Sequence, residues 1–320
     1  YGVSLPASLR DVLLARVDAI DEGPAQLLGV AAVGGREVEH EMLMAVADRD
    51  DAAGNVLALV EAGLLLPSRA LDGDDGYSFR HALVQEAVYD TMLPTERRRL
   101  HQRWAEYLSD HSLDAAAGLV QLAFHWREAR DPRALAASIA AGDGAMAAYS
   151  YEVAAREFGE ALLLWRDEDL DGMGLDHVEL LERHARSSYL ASDFRTSEAS
   201  CQEALTELGE SDPARRTTLL VLLGRSQWVN GDWGPATDTY ELALETAPEE
   251  PLIVRVRALA GLGQAYMLNA RHRDARPLLE AAIEGAQAIG ARDVEGHALN
   301  SLAAVLASLG ETERGVTSIR

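Results

Sequence analysis

Apolar residues along most of this chain recur at intervals of three and four, the spacing that places them on one face of an α-helix. In the C-terminal two-thirds they belong to a longer motif: an apolar residue, a small pair, Gly-Asp-aromatic, then Ala, an aromatic residue and Ala-Leu. Its clearest copy comprises Leu220, Leu223, Gly224, Gly231, Asp232, Trp233, Ala236, Tyr240, Ala243, Leu244 and Pro248. Such self-similarity predicts one structural unit that is used several times.

Four other stretches fit the same frame. The small residues that mark the first part of each unit, about 40 residues apart, are Gly142, Ala185, Gly224, Gly263 and Ala303. We interpret each unit as two helices, because small residues let paired helices approach closely while larger apolar residues fill the groove between them. Gly231 and Gly310 are predicted to form the turns, where glycine takes a positive φ as a helix ends.

This pattern resembles the tetratricopeptide repeat, with a period longer than the usual 34 or so residues. The resemblance covers residues 134–320, in about five helical hairpins of which the last is incomplete. A single hairpin cannot bury its apolar face alone, so neighbouring hairpins are expected to stack into an α-solenoid.

The pattern before residue 94 is different and predicts a winged-helix-like domain over residues 1–93. Four helices are predicted, followed by a small β-hairpin with an acidic turn. The helices are Leu9–Ile20, Ala25–Val33, His40–Ala47 and Ala52–Ala62; the strands are Leu64–Pro67 and Tyr77–Phe79, joined by Asp72–Gly76. Helices at His81–Thr91 and Glu96–Asp110 follow, and residues 94–133 are predicted to link this domain to the repeats. The predicted fold class is therefore mainly all-α.

The composition narrows the classes of function. Asp and Glu number 52 against 29 basic residues, all of them arginine, which gives a formal charge of −23. Nucleic-acid binders need clustered Lys and Arg to contact phosphates, so direct nucleic-acid binding by this segment is not expected. Cys201 is the only cysteine, so an internal disulfide or a thiolate metal cluster is excluded, and no metal site is expected. No long apolar run suggests a membrane span, which favours a cytoplasmic protein.

Several segments carry a more specific resemblance. They are Ser4–Asp18, Ala31–Gly35, Glu61–Leu65, Arg97–His101 and, most specifically, Tyr77–Tyr89, which reads Tyr-Ser-Phe-Arg-His-Ala-Leu-Val-Gln-Glu-Ala-Val-Tyr. Together they resemble bacterial signal-transduction ATPases of the STAND class, in which an ATPase module precedes a winged helix and tetratricopeptide repeats. Many such proteins end in a LuxR-type DNA-binding domain, and others begin with a class III adenylate cyclase domain.

This resemblance implies a regulatory segment without enzymatic activity of its own. No G-x-x-x-x-G-K-[ST] phosphate loop exists, and none is possible without lysine. We expect a fragment of a longer protein, with ATP or ADP bound by an upstream ATPase module and no cofactor bound by this chain. Three hypotheses remain: the sensor and coupling segment of a LuxR-family regulator, the same segment of an adenylate-cyclase-linked enzyme, or a free-standing scaffold.

The resemblance makes His81 a candidate nucleotide sensor. In related proteins a winged-helix histidine contacts the β-phosphate of ADP and holds the inactive state, and Phe79-Arg80-His81 lies where that histidine is expected. The alternative is a histidine that only begins a helix. Direct DNA contact by the winged helix is disfavoured, because residues 1–90 contain sixteen Asp and Glu against six Arg. Arg97, Arg98 and Arg99 are interpreted as a solvated, ion-paired helix face.

The groove of the repeat array is the predicted binding surface for a protein or a small-molecule inducer. Positions on each first helix that lie opposite the packing residues should face it, and arginines and aromatic residues there are typical of recognition surfaces. These groove residues are Glu182, Arg186, Tyr189, Arg225, Trp228, Arg257, Gln264, Met267, His297 and Asn300. Alternatively, Trp228 and Tyr189 only pack against neighbouring helices. Cys201 is predicted to be a buried structural thiol.

Overall fold

The computed structural model describes residues 15–17, 19–48, 50–69, 75–111, 116–165, 175–250 and 252–318. The described residues are predominantly helical, which confirms the predicted fold class. The chain divides into two compact units, Tyr1–Gly144 and Ala145–Arg320. This division falls inside one helix, Ala134–Ala147, whereas the boundaries at 93/94 and 133/134 remain predictions from sequence. None of the helices described is long and apolar enough to cross a membrane.

Unit 1 combines short helices with a three-stranded sheet. Its elements are α1 (Glu22–Gly34), β1 (Glu37–Glu39), α2 (His40–Ala47), α3 (Ala52–Glu61), β2 (Leu65–Arg69), β3 (Asp75–Phe79), α4 (Ala82–Thr91), α5 (Pro94–Asp110), α6 (Ala116–Ala129) and part of α7 (Ala134–Ala147). The predicted second, third and fourth helices are confirmed. Most of the predicted helix Leu9–Ile20 lies outside the described residues, as do residues 72–74 of the predicted acidic turn.

The sheet is antiparallel with strand order β1-β3-β2. Tyr77 of β3 lies opposite Val38 of β1 and Pro67 of β2, so β3 is the central strand. The predicted hairpin is therefore confirmed, and β1 adds an edge strand that was not predicted. Only the apolar Val38 of β1 is buried, so three residues with one inward side chain give too little alternation to detect in the sequence.

Helix α1 forms the centre of the unit 1 core. Every residue from Leu27 to Val33 is buried, as expected for a helix that is apolar around its circumference. Gly34 ends the helix against Trp104 of α5, where a Cβ atom would overlap the indole ring. The indole Nε1 donates a hydrogen bond to the Val30 carbonyl at 3.1 Å. The missing side chain at Gly34 thus makes room for the buried Trp104 ring.

Unit 2 is built of consecutive helices. These are the remainder of α7, α8 (Tyr151–Leu164), α9 (His177–Leu190), α10 (Phe194–Leu208), α11 (Pro213–Asn230), α12 (Trp233–Thr246), α13 (Leu252–Leu268), α14 (His272–Ile289), α15 (Arg292–Ser308) and α16 (Thr312–Ser318). The pairs α9–α10, α11–α12, α13–α14 and α15–α16 pack as hairpins, and successive hairpins also contact one another. This arrangement confirms a helical-repeat array in unit 2. Residues of the first predicted hairpin fall on α7, which the division between the units crosses, and on α8.

The glycines of the motif have the predicted packing and turn roles. A Cβ atom at Gly263 of α13 would lie 2.7 Å from the Leu279 side chain of its partner α14, so the two helices approach closely only because glycine is present. Gly231 and Gly310 end their helices with φ of 92° and 86°, the left-handed conformation that favours glycine. The sequence interpretation of these positions is confirmed.

Candidate functional site

Four of the ten predicted groove residues line one cavity in unit 2. This cavity, hereafter the arginine cavity, has a volume of about 300 Å³ and lies among α11, α12, α13 and α15. Its lining consists of Val221, Arg225, Tyr240, Arg257, Ala260, Gly261, Gln264, Asp293, Val294 and His297. It is at the lower end of the size range of small-molecule sites in proteins.

The repeat register explains why these side chains converge. Arg225 and Gln264 occupy equivalent positions of successive first helices, about one repeat of 40 residues apart, as do Val221 and Ala260. Stacking the hairpins places equivalent positions side by side. One face of α11, α13 and α15 therefore presents polar side chains above a floor of small and apolar residues.

Tyr240 of α12 forms part of that floor and is 3% exposed. A Cβ atom at Gly224 would lie 3.0 Å from its ring, and one at Gly261 would lie 2.6 Å from it. The ring therefore fills the space left by one glycine on its own hairpin and one on the next. Burial raises the pKa of the Tyr240 phenol well above its usual value, so the ring is neutral.

His297 and Gln264 form the neutral polar part of the lining. The His297 Nε2 atom lies 3.1 Å from the Gln264 Oε1 atom, so the imidazole donates to the amide oxygen. Burial, together with the nearby positive charge of Arg225, lowers the pKa of His297. The imidazole is consequently uncharged at neutral pH, and the charged groups of the lining are Arg225, Arg257 and Asp293.

Both arginines retain free hydrogen-bonding capacity. Within the described part of the chain, neither Arg225 nor Arg257 forms a salt bridge or a hydrogen bond. The Arg225 guanidinium lies 5.9 Å from the ring centroid of Tyr189, at the outer limit of a cation–π contact. The cavity therefore presents two guanidinium groups, each with five N–H donors, to whatever enters it.

Two further groove residues, Glu182 and Arg186, line a second cavity of about 410 Å³ between α9 and α11. Two of the three arginines in this cavity are paired with carboxylates. Arg215 contacts Glu182 at 3.0 Å and Asp176 at 2.8 Å, and Arg183 contacts Glu179 at 2.7 Å. Arg186 has no such partner among the residues described, so the second cavity combines an ion-pair network with one unpaired arginine.

The other four groove residues lie outside both cavities. Trp228 stacks on Trp233 at 6.1 Å and packs against the cluster around Tyr240, while Tyr189 contacts the Phe194 ring at 5.4 Å. Met267 is half-buried against the apolar cluster of the last hairpins, and Asn300 is exposed. Packing thus accounts for much of the Trp228 and Tyr189 surface, as in the alternative considered from the sequence.

His81 lies immediately before α4 and is exposed. Its backbone carbonyl accepts a hydrogen bond from the Val84 N–H at 2.9 Å, but its imidazole makes no capping bond. It therefore begins a helix, as the alternative interpretation requires, and its ring is available to solvent. Its role as a nucleotide sensor stays a prediction.

Two smaller predictions also have an outcome in the structure. Cys201 is fully buried, and burial raises the pKa of its thiol to about 12, which confirms a structural thiol. Arg98 and Arg99 are exposed, and the Arg97 guanidinium lies 5.0 Å from the Tyr89 ring. The helix face is solvated as predicted, but within the described residues none of these arginines forms the predicted ion pair, and Arg97 contacts an aromatic ring instead.

Sequence reasoning missed part of the cavity lining. Asp293 and Val294, in the first turn of α15, were not recognised because the predicted groove positions on that helix began at His297. Val221 and Ala260 could have been found, since they are the repeat equivalents of Glu182. A larger depression of about 570 Å³ in unit 1 is lined by Asp48, Asp50 and Asp51 with little apolar surface. It offers a ligand few contacts.

No protein-family model matches the chain, and no curated protein matches it. Among solved structures, it is similar to a Signal Transduction ATPase with Numerous Domains (STAND) protein with a tetratricopeptide repeat sensor from Pyrococcus horikoshii, at 14% identity and a TM-score of 0.47. That match covers 98% of this chain, which spans 59% of the STAND protein.

Two other solved structures are similar at the same level. One is a Rap protein complexed with competence and sporulation factor, at 14% identity and a TM-score of 0.46, covering 70% of this chain and 69% of that chain. The other is yeast Tom70, at 14% identity and a TM-score of 0.41, covering 87% of this chain and 58% of that chain. Likeness at these TM-scores assigns no ligand or partner to this chain.

Proposed function

We propose that this chain is the sensor and coupling segment of a STAND-type signalling protein of the LuxR family. In this proposal, unit 2 binds a small-molecule inducer or a protein, and unit 1 is a winged-helix domain that relays the binding event to an ATPase module. The observation that carries the proposal is the arginine cavity, where the first helices of three successive hairpins converge with unpaired polar groups.

The order of elements in unit 1 supports a winged helix. Helix α1 is followed by a short strand, two helices and a hairpin, and the three strands form one antiparallel sheet. Its charge supports a relay and not a DNA-binding role. Asp48, Asp50 and Asp51 precede α3, and α3 contains no arginine, so this segment would repel a phosphate backbone. His81, exposed before α4, is proposed to sense ATP or ADP held by the ATPase module.

A comparison of variants tests the role of the cavity. The full 320-residue chain, immobilised, is incubated with an extract of its source cells, and bound proteins and small molecules are identified. Arg225→Glu reverses one charge of the cavity, whereas Arg273→Glu reverses that of an exposed arginine of α14 that lines no described cavity. We expect the first variant alone to lose species bound by the wild type. Equal recovery by all three proteins would contradict the proposal.

The neighbouring coding sequence tests the LuxR assignment. A helix-turn-helix domain after residue 320 is the expected result, whereas a cyclase domain upstream would assign the chain to an adenylate-cyclase-linked enzyme. A protein with neither addition would be a scaffold. Saturable, salt-sensitive binding of duplex DNA by the purified chain would refute the charge argument for unit 1.

A further inference from the structure

Two cavities of unit 2 are lined by predicted groove residues, and they differ in how many of their arginines have a carboxylate partner. In the second cavity, Arg183 and Arg215 each lie within 3.0 Å of a carboxylate oxygen, whereas Arg186 has no such partner among the residues described. In the arginine cavity, Arg225 and Arg257 have no such partner among the residues described. Both guanidinium groups of the arginine cavity are exposed to solvent and are therefore available to a ligand.

The rest of the polar lining favours a negatively charged ligand. His297 donates to the Gln264 oxygen, and the N–H groups of the Gln264 amide form no hydrogen bond within the residues described. Asp293 is the one carboxylate in the lining, so one net positive charge remains. A planar guanidinium matches a carboxylate or phosphate in two parallel hydrogen bonds, which are stronger than bonds between neutral groups.

The apolar lining indicates what the charged group is attached to. Val221, Tyr240, Ala260 and Val294 form a floor that can bury a small aromatic or aliphatic body. The volume of about 300 Å³ accommodates a small molecule. A polyanion is excluded by the acidic surface of the chain, which repels extended arrays of phosphates.

From this convergence we infer that the arginine cavity binds a small organic anion, with Arg225 and Arg257 holding its carboxylate or phosphate group and the Tyr240 floor holding its apolar body. The inference rests on the proposed binding function of unit 2 and specifies the chemical class of its ligand. Carboxylates and phosphate monoesters share this chemistry, and the test below separates them.

Isothermal titration of the full chain with three probes tests the inference. Benzoate and phenyl phosphate present the same ring with a carboxylate or a phosphate, and benzamide is the neutral counterpart. We expect at least one anion to bind more tightly than benzamide by about tenfold or more, the scale of one charge-assisted hydrogen-bond pair. The tighter of the two anions identifies the group that the site prefers. Higher salt should weaken binding of the anion and leave benzamide unaffected.

Variants assign the binding to the two arginines. Arg225→Gln and Arg257→Gln should each weaken binding of the preferred anion by about tenfold, with Arg273→Gln as an unchanged control. Circular dichroism checks that each variant is folded, and Arg257→Lys, which keeps the charge but not the fork, should retain intermediate affinity.

Equal binding of benzamide and the anions would overturn the inference, as would no saturable binding of either anion at millimolar concentration. Equal loss in the Arg273→Gln control would also overturn it. Such results would not by themselves refute the proposed function of unit 2, because the extract comparison can still show partners that depend on Arg225. Failure of that comparison while benzoate or phenyl phosphate binds would instead remove the signalling role and keep the anion site.

Discussion

Acidification is expected to destabilise unit 1 through two buried histidines that face each other. His101 of α5 and His125 of α6 are 1% and 2% exposed, and their Nδ1 atoms lie 2.9 Å apart. The other ring nitrogen of His101 lies 2.9 Å from the Tyr89 hydroxyl, and the His125 ring stacks on Trp104. A single proton satisfies the contact between the two Nδ1 atoms. A second proton would place N–H donors on both Nδ1 atoms, which would then point at each other without an acceptor.

The magnitude follows from the pKa of the pair. Burial, followed by the charge of Arg97, lowers the pKa of His101 from 6.5 to about 4, and burial beside His101 lowers that of His125 to about 3. The unfolded chain therefore binds protons that the folded unit excludes, and stability present above pH 6.5 is lost as the pH falls towards 4. At about 1.4 kcal/mol per pKa unit, the first proton alone removes about 3 kcal/mol.

Hydrogen exchange measured by mass spectrometry detects this loss locally. After correction for the intrinsic effect of pH, protection of α5 and α6 should fall by about two orders of magnitude between about pH 7 and about pH 4, more than in α13 and α14. His125→Gln, which removes one titrating ring, should be less stable at neutral pH but lose less protection on acidification. His111→Gln, at an exposed position, should behave as the wild type.

Nuclear magnetic resonance supplies the direct check, because the ring protons of His101 and His125 report protonation of each ring. Both signals should remain constant as the pH falls from about 7 to about 5. Titration of either ring near 6.5, the ordinary histidine value, would refute the assignment of the acid sensitivity to this pair.

Three further outcomes are expected. Tyr240→Ala should lower the free energy of unfolding of unit 2 by about 3–5 kcal/mol in urea titrations, because it empties a buried ring site; a loss below about 1 kcal/mol would contradict that packing. Cys201 should react with a thiol reagent only on unfolding, since its thiol is buried with a pKa of about 12, and rapid labelling of the native chain would disprove this. Asp212→Ala should cost about 1 kcal/mol in the same urea assay, because its carboxylate accepts hydrogen bonds from the Ala214 and Arg215 N–H groups at 3.0 Å; Asp212→Asn should retain most of that stability.

Local chemistry made the helices predictable. The spacing of apolar residues located α2 at His40–Ala47, and the motif glycines located the turns after α11 and α15. Gly263 was assigned to a close helix contact because a small residue recurred at that point in each repeat. In each case the pattern that allowed the prediction lies within one or two neighbouring helices, and it recurs in successive repeats.

Other features depend on contacts between distant residues. Glu182 was predicted to face the groove, but its ion pair with Arg215 on the next hairpin, at 3.0 Å, was not foreseen. Trp228 was placed in the groove by its offset, but the direction of its ring depends on Trp233 across the turn. The contact between His101 and His125 likewise requires the packing of α5 on α6. Periodicity assigns a helix face and does not reveal which partner covers it.

Tyr240 belongs to two structural relationships at once. Its ring occupies the space opposite Gly224 on its own hairpin and opposite Gly261 on the following one. The same ring forms part of the floor of the arginine cavity. A ligand that displaces this ring would therefore disturb its packing against both hairpins. Ligand binding in the arginine cavity and the packing of these two hairpins on each other are therefore expected to be coupled through the Tyr240 ring.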